Sequence, residues 1–339
     1  MPSASVPMPH PAAHRLADRL RRAGHLPALF VLLGMATLPT IVAGQAGPAP
    51  APTVTRDDLA RAYLRMDRAY ATADSLGRIT DSTRALVNRT FDRATLGFFG
   101  GRFGAAVASI DSSVQHLVAV TRVDAPAVQA LPTRSPFPGD GRRTITGPAG
   151  AAIPVRIVVP PAAGAARRPL GVLLALHGAG GDENMFVDAY GQGIAARLAG
   201  ELGLVLVSPT TAPFVRGGEA LDSVLAAVQR EIGIDTTRVY VIGHSMGAGA
   251  AATLARTRPA RIAAVVCLAG GAPVDVPGAP PVLFIGAALD PIIPAARVRA
   301  AAAASPTGRY EELAHEGHTL MVRRGVARGL AWIAAGAPR

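Results

Sequence analysis

The pattern of apolar and polar positions changes character near residue 126. Before that point apolar residues recur at helical spacing. Leu59, Tyr63, Met66 and Tyr70 follow Thr55, whose hydroxyl suits an N-cap, and Asp57 and Asp58 suit a first turn. A second helix is expected over about 81–96. A third carries Phe103, Val107, Ile110, Val114 and Leu117 on one stripe, and residues 97–101 hold glycines that break the chain between the two. Such stripes pack a core, so residues 53–122 read as a small helical hairpin bundle. It is a candidate for docking a protein or shaping a substrate site, and nothing in it looks catalytic.

Residues 126–140 are proline-rich and mark a boundary. Beyond them apolar β-type runs alternate with helical runs. Strands are expected near 143–146, 153–159, 172–177, 204–208, 239–242, 263–267, 282–285 and 310–313. Helices are expected near 193–201, 220–232, 248–257, 295–304 and 322–334. This alternation predicts an α/β domain over 140–339, built on a mostly parallel eight-stranded sheet with helices on both faces.

The first 46 residues add an export signal to this picture. Arg15, Arg19, Arg21 and Arg22 precede an apolar run over 26–42, and Ala43, Gly44 and Ala46 offer a cleavage site. Pro27, Gly34 and Pro39 interrupt a run already short for a membrane span. The expectation is a periplasmic or secreted protein, with the Pro/Ala stretch 47–52 as a spacer. The formal charge of +11 comes from arginine alone, because the chain contains no lysine. The arginines are scattered and few aromatics accompany them, which argues against nucleic-acid binding. Cys267, the single cysteine, lies in an apolar run and reads as a core residue. No His/Cys/Asp cluster has metal-ligand spacing, and no cofactor is implied.

Chemistry enters at Gly243-His244-Ser245-Met246-Gly247, a G-x-S-x-G pentapeptide between a β-type run, 238–242, and an alanine-rich helical run, 248–256. Glycines on both flanks allow a sharp strand-to-helix turn that pushes Ser245 out at its tip. The following helix aims its free N–H groups at the same place. A serine hydroxyl needs a base, an acid to orient that base, and donors for the oxyanion. Beyond the first 46 residues the histidines are His116, His177, His244, His315 and His318. His116 belongs to the helical segment, His177 ends an upstream strand, and His244 occupies the elbow position whose side chain is expected to point away. His318, after Gly317 in a loop beyond the last strand, is the preferred base, with His315 as its rival. Asp290, just after the strand near 282–285 and stiffened by the prolines at 291 and 294, is the preferred acid. Asp275 is the rival. The run His177-Gly178-Ala179-Gly180-Gly181 follows a strand, and its turn offers the N–H groups of Ala179 and Gly180 as oxyanion donors beside that of Met246.

These residues resemble the α/β-hydrolase superfamily, and within it secreted polyhydroxybutyrate-depolymerase-like and feruloyl-esterase-like esterases and prolyl-oligopeptidase-like hydrolases. The resemblance rests on HGAGG at 177–181, GHSMG at 243–247, Leu289-Asp290-Pro291 and Gly317-His318-Thr319. The run Asp182-Glu183-Asn184-Met185-Phe186, leading to Tyr190-Gly191, also looks like the segment after the oxyanion loop in these enzymes. The resemblance covers residues 140–339 and leaves the helical segment out. It implies an α/β-hydrolase fold and carboxylic-ester hydrolysis through an acyl-enzyme on Ser245, with His318 as base, Asp290 as its partner and the order Ser, Asp, His along the chain. A serine peptidase is the alternative activity, and an inert binding protein on the same scaffold is a more remote one. About ten residues separate the strands on either side of Asp275, too few for an inserted cap. The pocket is therefore expected to be open to extended, polymeric or bulky esters unless the N-terminal helices cover it.

Overall fold

The computed structural model describes residues 53–129, 131, 139–161 and 169–337. The export-signal stretch lies outside the described residues. Three helices come first: α1 (Arg56–Ser75), α2 (Asp81–Phe99) and α3 (Phe103–Thr121). Thr55 caps α1 by accepting from the Asp58 N–H, and Asp58 returns the bond to the Thr55 N–H, a reciprocal box that satisfies two otherwise free donors. Met66, Tyr70, Phe91, Ile110, Val114 and Leu117 form the shared core of the three helices, all nearly inaccessible.

Eight strands follow: β1 (Asp140–Thr146), β2 (Ala152–Val158), β3 (Leu170–Leu176), β4 (Leu204–Pro209), β5 (Ile234–His244), β6 (Ala264–Leu268), β7 (Val282–Ala287) and β8 (Gly308–Leu313). Their order across the sheet is β1-β2-β4-β3-β5-β6-β7-β8. The first two are antiparallel, and β3 to β8 run parallel. Helices α4 (Ile194–Glu201), α5 (Glu219–Ile232), α6 (Met246–Thr257), α7 (Ala295–Ala303) and α8 (Val322–Ala334) alternate with the strands. Two apolar layers sandwich the sheet. One contains Leu225, Leu254 and Phe284, and the other Phe186, Leu283 and Ile333. This is the α/β-hydrolase arrangement.

The expected strands and helices are all present, with ends that differ in informative ways. Strand β5 begins at Ile234, five residues before the apolar run, because its polar stretch from Asp235 to Arg238 extends beyond the buried sheet while keeping β geometry. A π-helical turn at Met185–Ala189 was not expected. It buries Phe186 and Val187 and presents Asp188 to the fully buried Arg156 of β2, at 2.5 Å.

The helical segment packs against the α/β domain. It lies over the C-terminal ends of the parallel strands, where open α/β sheets bind ligands, and it touches the loops there through polar side chains. Asp67 of α1 accepts from the N–H groups of Gly191 and Gln192, both at 2.9 Å. Gly191, Gln192 and Gly193 all have φ near +60°, a conformation that turns successive N–H groups toward one anion.

Candidate active site

Ser245 stands between β5 and α6 with φ 56° and ψ −114°, a conformation that costs a non-glycine residue free energy and survives only where the surroundings enforce it. They do so here. The Ser245 N–H donates to the Leu268 carbonyl of β6 at 2.9 Å. A Cβ on Gly243 would run into the backbone of Gly247, and one on Gly247 into the carbonyl of Leu176. Both glycines are therefore obligatory for the turn, which sets Ser245 on the wall of the cleft.

The preferred base and acid meet this serine. His318 Nε2 lies 3.0 Å from Ser245 Oγ, and His318 Nδ1 lies 2.7 Å from Asp290 Oδ2. A carboxylate only accepts, so the ring proton belongs on Nδ1, and Nε2 is left to accept from the serine hydroxyl. The other oxygen of Asp290 accepts from the N–H groups of Ile292 and Ile293, both at 2.8 Å. The Pro291–Pro294 loop thus holds the carboxylate from behind. Asp290 and His318 are 7% and 2% exposed, enough burial to strengthen each charge-assisted contact.

The remaining histidines occupy other roles. His315 is exposed, has φ +65° and lies 3.6 Å from Asp81, away from the serine. Asp275 is exposed in the loop after β6. His177 Nε2 accepts from the Thr211 N–H at 3.1 Å and pins the end of β3. His116 is half-buried on α3. The expectation for His244 needs correcting. Its side chain turns into the core, where Nδ1 pairs with Tyr190 Oη and Nε2 with the His318 carbonyl, both at 2.9 Å. Burial lowers its pKa to about 3, so the ring is neutral and can donate from Nε2 while accepting at Nδ1.

Gly178, Ala179 and Gly180 form a turn beside the serine, with Gly180 at φ +80°. The Gly178 N–H is turned to Tyr190 Oη at 3.4 Å. Ala179 and Gly180 are exposed to the cleft. Two residues of the helical segment fix this turn from outside. Arg56 Nη2 donates to the Gly180 carbonyl at 2.8 Å, and Phe98 packs so closely that a Cβ on Gly180 would meet its ring.

Ser245 and His318 open into a cavity of about 260 Å³. The α/β domain supplies Met185 and Tyr190 to its wall, and the helices supply Leu59, Tyr63, Phe91, Phe98 and Phe99. The expected open cleft is therefore corrected by the condition attached to it. The N-terminal helices form an apolar roof.

Sequence reasoning missed the side chains that carry this roof's contacts. Glu316 is fully buried and accepts from Arg84 at 3.0 Å, Tyr70 at 3.0 Å and Asn88 at 3.2 Å. The Gly317 N–H donates to Asn88 Oδ1 at 2.8 Å, and the His318 N–H to Asp92 Oδ2 at 2.9 Å. Arg84, Asn88 and Asp92 stand at i, i+4 and i+8, a polar row among the apolar positions of α2. That row was visible in the sequence; its partner was not.

A family model described as Hydrolase_4, serine aminopeptidase, S33 matches residues 173–332. Among solved structures the chain is similar to a thermostable esterase, at 23% identity and TM-score 0.41, over 58% of this chain and 60% of that one. It is also similar to the S-formylglutathione hydrolase of Agrobacterium tumefaciens, at 17% identity and TM-score 0.49, over 60% and 98%. A third likeness is to Est1E from Butyrivibrio proteoclasticus, at 13% identity and TM-score 0.45, over 58% and 98%. The chain spans less than two thirds of the thermostable esterase's length. No curated protein matches it. The family match over 173–332 takes in a little under half of the chain, and the strand order and strand-to-helix elbow show the α/β-hydrolase fold.

Proposed function

We propose that the protein is a carboxylic-ester hydrolase working through an acyl-enzyme on Ser245. The observation that carries this reading is the hydrogen-bonded chain from Ser245 Oγ through His318 to Asp290, at 3.0 and 2.7 Å, at the floor of an apolar cavity. As Ser245 Oγ attacks the ester carbonyl, its proton passes to His318 Nε2, and Asp290 stabilises the imidazolium. The carbonyl oxygen becomes an oxyanion served by the backbone N–H groups of Met246 and of Ala179 or Gly180. His318 then gives its proton to the departing alkoxide, which leaves as the alcohol. Water, deprotonated by the same ring, attacks the acyl carbonyl and releases the carboxylic acid and the free serine.

The roofed, apolar cavity favours an ester of modest size with an apolar acyl or alcohol group over a polymer chain. An aminopeptidase, the activity named for the matching family model, has to hold an ammonium group. Asp188, one of the carboxylates beside the cavity, is already committed to Arg156 at 2.5 Å, and Arg56 brings positive charge to the glycine turn. Both features disfavour a cationic substrate. Export from the cytoplasm is proposed on the pattern of residues 15–46 alone, and cell fractionation checks it.

A panel of p-nitrophenyl esters of graded acyl length, run beside aminoacyl and prolyl peptide substrates, tests the activity. The expected result is ester hydrolysis that falls off at long acyl chains and disappears in Ser245→Ala. Peptide cleavage without ester cleavage would reverse the assignment.

A further inference from the structure

The contact between α2 and the loop after β8 is matched residue by residue. Arg84 holds Glu316, Asn88 holds the Gly317 N–H, and Asp92 holds the His318 N–H. One turn further along α2, Thr95 Oγ1 lies 3.3 Å from Thr319 Oγ1. Four successive loop residues therefore find partners on successive turns of one helix, which fixes the loop's register as well as its position. Gly317 is what permits this approach, since a Cβ there would collide with the Asp92 carboxylate.

Asp92 differs from the other members of the row. Arg84 and Asn88 belong to a cluster in which charges are paired, with Glu316 and Asp74 facing Arg84. Asp92 is 1% exposed, has no cationic partner, and its Oδ1 has no hydrogen-bond partner among the described residues. A buried carboxylate in that state is costly. A helix needing only an acceptor for one N–H could use a neutral side chain. The carboxylate stands instead on the backbone of the residue whose ring must become positively charged.

We propose that Asp92 is a positioning residue of the hydrolase, holding the backbone of His318 from the helical roof and setting a negative charge beside that histidine as its ring takes up a proton. The proposal rests on the reading of His318 as the catalytic base. The His318 main chain is gripped on both sides, its N–H by Asp92 and its carbonyl by the neutral His244 ring, while Asp290 and Ser245 engage the ring. The groups facing Asp92 are His318 and Asp290 from the strand-end loops, Thr319 beside them, and Asn88 on its own helix. The Arg84–Glu316 pair, with Tyr70 and Asp74 of α1, lies beyond Asn88. Burial, offset by the His318 N–H and the charge of His318, raises the Asp92 pKa to about 7. The carboxylate therefore changes charge in the range where a histidine base works.

Asp92→Asn decides the matter, because the amide oxygen can still accept from the His318 N–H while the charge is gone. The sign of the stability effect follows from the raised pKa. Wild type loses stability as pH rises from the ordinary carboxylate range through about 7, whereas the amide does not titrate. Asp92→Asn is expected to melt with wild type near pH 4 and above it at pH 8. Its kcat at pH 8 should nevertheless fall roughly tenfold with KM little changed, and Asp92→Ala should lose about a hundredfold, as expected when a reacting group is displaced slightly. The acidic limb of kcat/KM, and of the rate of Ser245 labelling by a fluorophosphonate, should move to lower pH in Asp92→Asn, since a nearby anion favours the imidazolium. Wild-type kcat with an unmoved limb overturns the proposal. So does a loss of kcat accompanied by a lower melting temperature at pH 8, which would make Asp92 merely structural. Activity retained in His318→Ala would instead overturn the assignment of the base, an outcome read separately from any Asp92 variant.

Discussion

The elbow that carries Ser245 and the loop that carries His318 solve the same problem, holding one side chain in place, by opposite means. The elbow is fixed by local sterics. Gly243, Ser245 and Gly247 are neighbours in sequence, and the turn between β5 and α6 is so tight that a Cβ at either glycine would strike backbone atoms. The histidine loop is fixed at long range by polar side chains of α2, 226 and 229 residues away along the chain. Ser245, the proposed nucleophile, is thus held by the turn between neighbouring elements of the sheet layer. His318, the proposed base, is held by side chains of α2.

The largest losses are expected at the proposed nucleophile and base themselves. Ser245→Ala and His318→Ala should each lower kcat by on the order of 10⁴-fold or more, as expected of residues that act as a unit. Steady-state ester hydrolysis measures it, and a retained rate in either variant would remove the comparison altogether.

The next effect separates the two modes of support. Glu316→Ala leaves Arg84, Tyr70 and Asn88 without their shared acceptor in a site closed to water. Breaking a buried pair of this kind costs about 3–5 kcal/mol, so the thermal midpoint should fall by roughly 10 °C. Activity should fall further than the folded fraction does, because the His318 loop loses its seat while the elbow remains intact. Circular dichroism melts and burst titration of Ser245 distinguish the two. Parallel losses of both would mean that the loop needs no roof.

Smaller, and confined to the elbow, is the contrast between Gly247→Ala and Gly249→Ala. A Cβ at 247 meets the Leu176 carbonyl, whereas one at 249 meets nothing. The first substitution should destabilise by about 1–3 kcal/mol through overpacking. The second should be neutral or stabilise by roughly 0.5–1 kcal/mol through helix propensity. Equal melting temperatures for the two would deny the elbow its steric origin.

The smallest effect concerns the roof's inner face. Phe98→Ala removes an aromatic wall without touching the base, so it should shift the preferred acyl length upward by a few carbons at a cost of only a few-fold in kcat. An acyl-length profile measures this. An unchanged preference would place the bound acyl group elsewhere.

The same contrast explains what could be read in advance. The parallel sheet was legible because its strands are continuous apolar runs, and the candidate site because Ser245, Asp290 and the glycine turn stand at strand ends, each with a local signature. His318 was reached because few histidines competed for the role. The roof was legible only as a condition on the open pocket, and the contacts that seat it were not legible. Arg84, Asn88 and Asp92 were present as a polar row on a helix, yet a row of that spacing has no address written in it, and its partners lie more than two hundred residues away. His244 was misread for a related reason. Its neutral, buried state depends on Tyr190 and on the His318 carbonyl, and nothing local announces either.

If Ser245 is a nucleophile activated by His318, peptide mass spectrometry after fluorophosphonate treatment should find one adduct, on Ser245, formed at least about a thousandfold more slowly in His318→Ala. An adduct on another residue, or equal labelling of Ser245 in His318→Ala, would show that this pair does not act as proposed.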